Sequence, residues 1–118
     1  MMSRVSYLRI IFVLIVFIAL PAGAETVSLQ SRKSHEKCVD LKAGQMLEYR
    51  FTADGRLDFN IHYHDGDMVH YLVQEKNITE KEGNILAPIL QHYCLMWGHG
   101  KRGIRTFEYM FDISGEDN

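Results

Sequence analysis

Proline is scarce in these 118 residues, with only two, and so is cysteine, also two. Few prolines and 11% aromatic residues exclude a disordered chain. Two cysteines allow one bridge at most, which excludes the dense disulfide scaffolds. No glycine-rich phosphate loop is present, and the serines crowd into the first 34 residues and the tail, which leaves no catalytic triad to assemble. A strong charge of one sign is missing too. Beyond residue 24 the chain carries 11 basic and 15 acidic residues, a formal charge of −4. That balance argues against an electrostatic grip on nucleic acid or on anionic lipid. No long apolar run follows residue 20, so no membrane-spanning helix is expected after the leader.

The leader is the one continuous apolar stretch. Arg4 and Arg9 precede an unbroken run from Ile10 to Leu20, Pro21 ends it, and Ala22-Gly23-Ala24 supplies small residues of the kind a signal peptidase accepts. As a helix, that run spans about 16 Å against roughly 30 Å of hydrocarbon, too short for an anchor. We expect residues 1–24 to be a cleaved signal peptide and the exported protein, periplasmic or secreted, to begin at Glu25. The residue at the cleavage site is not cysteine, so no lipid anchor is expected.

Period-two alternation dominates the remainder. Leu47, Tyr49 and Phe51 face one way and Glu48 and Arg50 the other. Leu57, Phe59, Ile61 and Tyr63 alternate with Asp58, Asn60 and His62, and Phe107, Tyr109, Phe111 and Ile113 with Glu108, Met110 and Asp112. This pattern means half-buried antiparallel strands. Thr52–Gly55 and Asp65–Asp67 are expected as turns, 25–36 as a polar arm, Asn77–Glu82 as a loop or single helical turn, and 114–118 as a flexible tail. The fold expected is an all-β antiparallel sandwich of seven to eight short strands over residues 37–113.

Cys38 and Cys94, in an oxidising compartment, most simply form one bridge. The rival assignment makes Cys94 a copper thiolate, with His99 and Met110 as late-chain partners and Trp97 beside them. The spacing of Met110 speaks against it. Lys101, Arg102 and Arg105 form a small basic loop, and Asn77-Ile78-Thr79 is a glycosylation sequon if the host glycosylates.

The run Lys37-Cys38-Val39 to Gly44-Gln45-Met46-Leu47-Glu48-Tyr49-Arg50-Phe51, the stretch Leu57–His64, and Gly83 with Tyr93-Cys94-Leu95-Met96-Trp97 together resemble a GOLD domain. That is the β-sandwich module of early-secretory-pathway cargo receptors and of some lipid-binding proteins. The resemblance covers about residues 36–113. It implies a β-sandwich in which an early cysteine bridges a late strand, as Cys38 and Cys94 would. It does not carry over coat binding or cargo traffic, which belong to a coiled coil, span and tail without counterpart here. Gly98-His99 also departs from the family's usual Asn.

Six histidines remain, three around one hairpin. A hairpin centred on Gly66 would pair His64 with Met68 and His62 with His70, with Val69 and Tyr71 packed inside. His62, His64, Met68 and His70 would then share a solvent face, a donor set suited to copper or zinc, with Asp65 and Asp67 nearby. No reaction is assigned. The leading expectation is a non-enzymatic exported binding module for a protein or small ligand, and the alternative is a periplasmic metal-binding protein using those histidines. The leader gives the first test: the exported form should have the intact mass of residues 25–118, and a membrane-bound form retaining Met1 would refute it.

Overall fold

A computed structural model of the chain describes residues 24–115. The leader expected at 1–24 lies outside them except for Ala24, as does the tail beyond Gly115. The described residues form six antiparallel strands: β1 (Glu25–Leu29), β2 (Lys33–Leu41), β3 (Met46–Asp65), β4 (Met68–Leu86), β5 (Gln91–His99) and β6 (Arg105–Ser114). The strand order is β1-β6-β3-β5-β2, with β4 paired to β3. The all-β antiparallel architecture is as expected from the alternation.

The count is six because β3 joins the expected strands at 47–51 and 57–63 into one, and β4 runs unbroken from Met68 through the loop expected at Asn77–Glu82 to Leu86. β3 pairs with β6 through 46–53 and with β5 through 58–62, while β4 follows it along nearly its whole length. The β3–β4 ribbon therefore bends and serves both layers. Residues 52–55, expected as a turn, lie at the bend, where the pairing slips between Thr52 and Leu57. At the bend the Arg105 side chain packs against the Gly55 backbone, in space that a Cβ would occupy. Opposite, Asn77 takes a left-handed φ of 56°, donates its N–H to Asp58 Oδ1 at 3.0 Å and accepts Arg56 Nη1 at 2.9 Å. Asparagine tolerates that conformation, so the loop expected at Asn77–Glu82 is instead a kinked part of β4. The 25–36 stretch, expected as a polar arm, forms β1 and the start of β2. Glu25 is anchored by the Tyr109 hydroxyl, which donates to Oε2 at 2.8 Å.

Odd-numbered residues of β3 face the interior in both layers, with Leu47, Tyr49, Phe51, Leu57, Phe59 and Ile61 all buried. Trp97 sits at the centre. Its ring centroid lies 4.5 Å from Tyr109, 5.0 Å from Phe107 and 5.4 Å from Phe59. Aromatic pairs at such separations add about 0.5–1.5 kcal/mol each beyond burial. His35, within the expected arm, covers this cluster at 5.9 Å from Trp97.

The Cys38–Cys94 disulfide is formed, 56 residues apart in sequence and directly paired across β2 and β5. All of β3 and β4 lies inside the loop it closes. Replacing both cysteines by alanine should lower the unfolding free energy by on the order of 4 kcal/mol, measured by denaturant titration. A loss under about 1 kcal/mol would show that the ladder alone holds the two strands.

Candidate functional site

The β3–β4 hairpin turns through two residues, Gly66 and Asp67, with Asp65 paired to Met68. Gly66 has a φ of 61° at the first loop position, the pattern of a II′ hairpin turn. Two loop residues instead of three shift the register by one from that expected. Tyr63 pairs with His70, His62 with Tyr71 and His64 with Val69.

The expected set His62, His64, Met68 and His70 is thereby divided. His70 stacks on Tyr63 at 4.8 Å and Met68 shares its parity, while His62 and His64 lie on the opposite face with ring centroids 5.1 Å apart. Val69 and Tyr71, expected inside, are exposed. A bulge between Ile61 and His62 then returns Val73 to the partner of Ile61, so the slip is confined to the hairpin end.

What the structure assembles is a row across four strands. Tyr71 on β4 pairs with His62 on β3, His62 with Cys94 on β5, and Cys94 with Cys38 on β2. This row lies on the outer surface of the layer. On one side of it Asn60 pairs with Met96 and Met96 with Glu36, and on the other His92 pairs with Asp40.

His62 faces outward yet is buried, roofed by Tyr71 at 5.8 Å and flanked by His64. Its Nδ1 lies 2.6 Å from Asn60 Oδ1, so Nδ1 carries the proton, and its Nε2 lies 3.4 Å from Glu36 Oε2. Burial pushes its pKa down; Glu36 opposes the shift and His64 adds to it. The exposed His92 likewise directs Nδ1 to a carboxylate oxygen, Asp40 Oδ1, at 2.6 Å. One ligand atom each of Cys38, His92 and Cys94 lie within 4.8 Å of one another, and the same holds for Glu36, His62 and Cys94.

Sequence reasoning did not connect His92, Asp40, Glu36 or Met96 to this face. A usable signal existed: once Cys38 is paired with Cys94, antiparallel counting pairs His92 with Asp40 and Met96 with Glu36. The late-chain copper set is not assembled. Cys94 is in the bridge and Trp97 in the core, His99 Nε2 donates to Gly103 O at 2.9 Å, and Met110 Sδ accepts from Arg50 Nε on the other layer. That layer's outer face bears a cleft of about 640 Å³ lined by Arg50, Glu80, Glu82 and Glu108 among others.

No protein-family model matches this sequence, and no curated protein matches it either. Among solved structures, the chain is similar to the pre-peptidase C-terminal domain of a collagenase from Bacillus anthracis, at 16% identity and a TM-score of 0.60 over 75% of this chain and 87% of that one. It is also similar to PliG, a periplasmic inhibitor of g-type lysozyme, from Aeromonas hydrophila, at 11% identity and a TM-score of 0.53 over 76% of this chain and 87% of that one. PliG from Salmonella Typhimurium gives 11% and 0.50 over 75% and 89%. These likenesses define a small antiparallel β-sandwich domain, a fold class without a family assignment.

The lowered pKa of His62 generates a pH dependence. A histidine whose folded pKa lies below its unfolded value near 6.5 contributes stability that is fully present above that value and is lost as pH falls through the folded one. Unfolding free energy should therefore drop as pH falls from about 7 to about 5, and His62→Gln should remove part of that slope. An identical slope in the variant would assign the dependence elsewhere.

Proposed function

We propose that this domain is an exported, non-enzymatic binding module that engages a protein through the outer face of the β4-β3-β5-β2 layer. One observation carries the reading. Val69 and Tyr71 stand 39% and 51% exposed beside His64, at the end of a layer whose inner face is fully used by the core. Large apolar and aromatic side chains grouped on an open face are the usual anchors of protein interfaces. The disulfide supports export, as does the leader read in the sequence. The neighbours lend weight to the class: two are named as periplasmic inhibitors of an enzyme and one as a C-terminal domain of a protease. The GOLD resemblance belongs to this reading as well, supported by the bridge between an early and a late strand.

The hairpin form of the metal reading has less behind it, because its four donors are divided, His62 and His64 on one face and Met68 and His70 on the other. The binding reading is tested by site-specific crosslinking in the native compartment. A photoreactive phenylalanine analogue at position 71 should yield a covalent adduct with a second protein. The same group at position 82, on the opposite layer's outer face, should not. Adducts of equal yield at both positions, or none at position 71, would overturn the assignment.

A further inference from the structure

The outer-face row contains more chemistry than a docking surface needs. Two sulfurs lie at its centre, and an imidazole flanks them on either side. In both histidines Nδ1 is tied to an oxygen, Asn60 Oδ1 for His62 and Asp40 Oδ1 for His92, each at 2.6 Å. With the Nδ1 proton donated to oxygen, the lone pair of a neutral imidazole resides on Nε2. This is the arrangement by which proteins orient metal-ligating histidines. His62 Nε2 meets a carboxylate oxygen of Glu36 at 3.4 Å. Both atoms are acceptors when the ring is neutral, and a cation between them would satisfy both.

We propose that reduction of the Cys38–Cys94 bridge converts this face into a tetrahedral zinc-type site, with Cys38, Cys94, His62 and His92 as ligands. A dithiol reductant supplies two electrons and two protons, becomes a disulfide itself, and leaves two thiols. The metal ion then displaces both thiol protons to solvent, and the neutral imidazoles contribute lone pairs without proton loss. The nine-residue β2–β5 ladder, from Lys33 with His99 to Leu41 with Gln91, keeps the two thiols opposite one another once the bridge is open. A tetrahedral zinc with two thiolates and two imidazoles holds neighbouring ligand atoms about 3.5 Å apart. The Cys38–His92–Cys94 atoms already lie within 4.8 Å of one another, and His62 lies within the same distance of Cys94, the residue the two groups share. Two sulfurs with two nitrogens in tetrahedral geometry select zinc over harder cations. A reductant reaches the bridge from the Cys38 side: Cys94 is buried, but Cys38 is partly exposed and the His92 side chain beside it is 60% exposed. In the oxidised protein the same sulfurs are engaged with each other, so the site exists in one redox state only. Unlike the hairpin set, it needs neither Met68 nor His70.

Cobalt(II) is the probe, because thiolate coordination gives it a near-ultraviolet charge-transfer band and tetrahedral geometry gives intense visible bands. Protein reduced with a phosphine should bind one equivalent with both signatures, and oxidised protein should show neither. His62→Ala and His92→Ala should each weaken binding by about tenfold or more, and Asp40→Ala by roughly tenfold through loss of ring orientation. His70→Ala should leave it unchanged. Equal binding by the oxidised protein, or a His70→Ala effect as large as that of His92→Ala, would overturn the proposal. Near-ultraviolet circular dichroism of the buried Trp97 reports the fold in the same titration. Should reduction unfold the domain, recovery of that signal with one equivalent of cobalt supports the site. A charge-transfer band without recovery would assign binding to unfolded thiols and overturn it.

Discussion

Two long strands that stay paired with each other must both bend if they are to serve two layers, and the rest of this structure depends on how β3 and β4 do so. Pairing is kept on both sides of the bend and slips within it, between Thr52 and Leu57 and again before Phe59. Asn77 supplies the backbone conformation on β4, Gly55 the steric room on β3, and Asp58 and Arg56 hold the kinked peptide from across the ribbon. β6 and β1 add to one half of β3, β5 and β2 to the other, and the two inner faces meet around Trp97. A half-exposed ion pair, Lys81 Nζ to Glu75 Oε2 at 2.9 Å, joins residues of β4 on either side of the bend. Exposed pairs of this kind contribute at most about 1 kcal/mol, so the bend rests on backbone geometry and on the aromatic core.

Much of this was legible as period-two patterning. Leu47, Tyr49 and Phe51, then Leu57, Phe59 and Ile61, announce their inward faces by alternation alone, and the structure buries all six. What the pattern could not show is continuity. Thr52-Ala53-Asp54-Gly55 has the composition of a turn, and only the partners β4 and β6, distant in sequence, make it a bend within one strand. The 25–36 stretch is polar because β1 and β2 expose much of their surface, so composition alone reads as an arm. His35 contributes to the core only because β2 pairs with β5 and sets it against Trp97.

The hairpin is instructive because its energetics pointed the wrong way. Exposing Val69 and Tyr71 forfeits on the order of 3–6 kcal/mol of burial, and this argues for the register that keeps them inside. Two features offset the loss. The bulge beside Ile61 returns Val73 to the core, so the shifted register costs burial only at the hairpin end. Tyr71, turned outward, roofs His62 and recovers part of its contact there, while His70 stacks on Tyr63 instead of entering the core unpaired. The turn was the stronger local constraint, since a two-residue loop with glycine first matches the twist of the flanking strands.

The bridge links these levels. Its loop encloses the whole ribbon, so in the unfolded chain it restricts the segment that must bend, while in the folded chain it joins two strands already paired. Its contribution to stability therefore lies largely in the unfolded state, and the native face it occupies is left free for other chemistry. A sulfur pair held in place by a ladder, on an outer surface between oriented imidazoles, would keep its position after the bond is cut. The same strand register that makes the disulfide geometrically redundant in the native sheet is what would hold four ligands together without it.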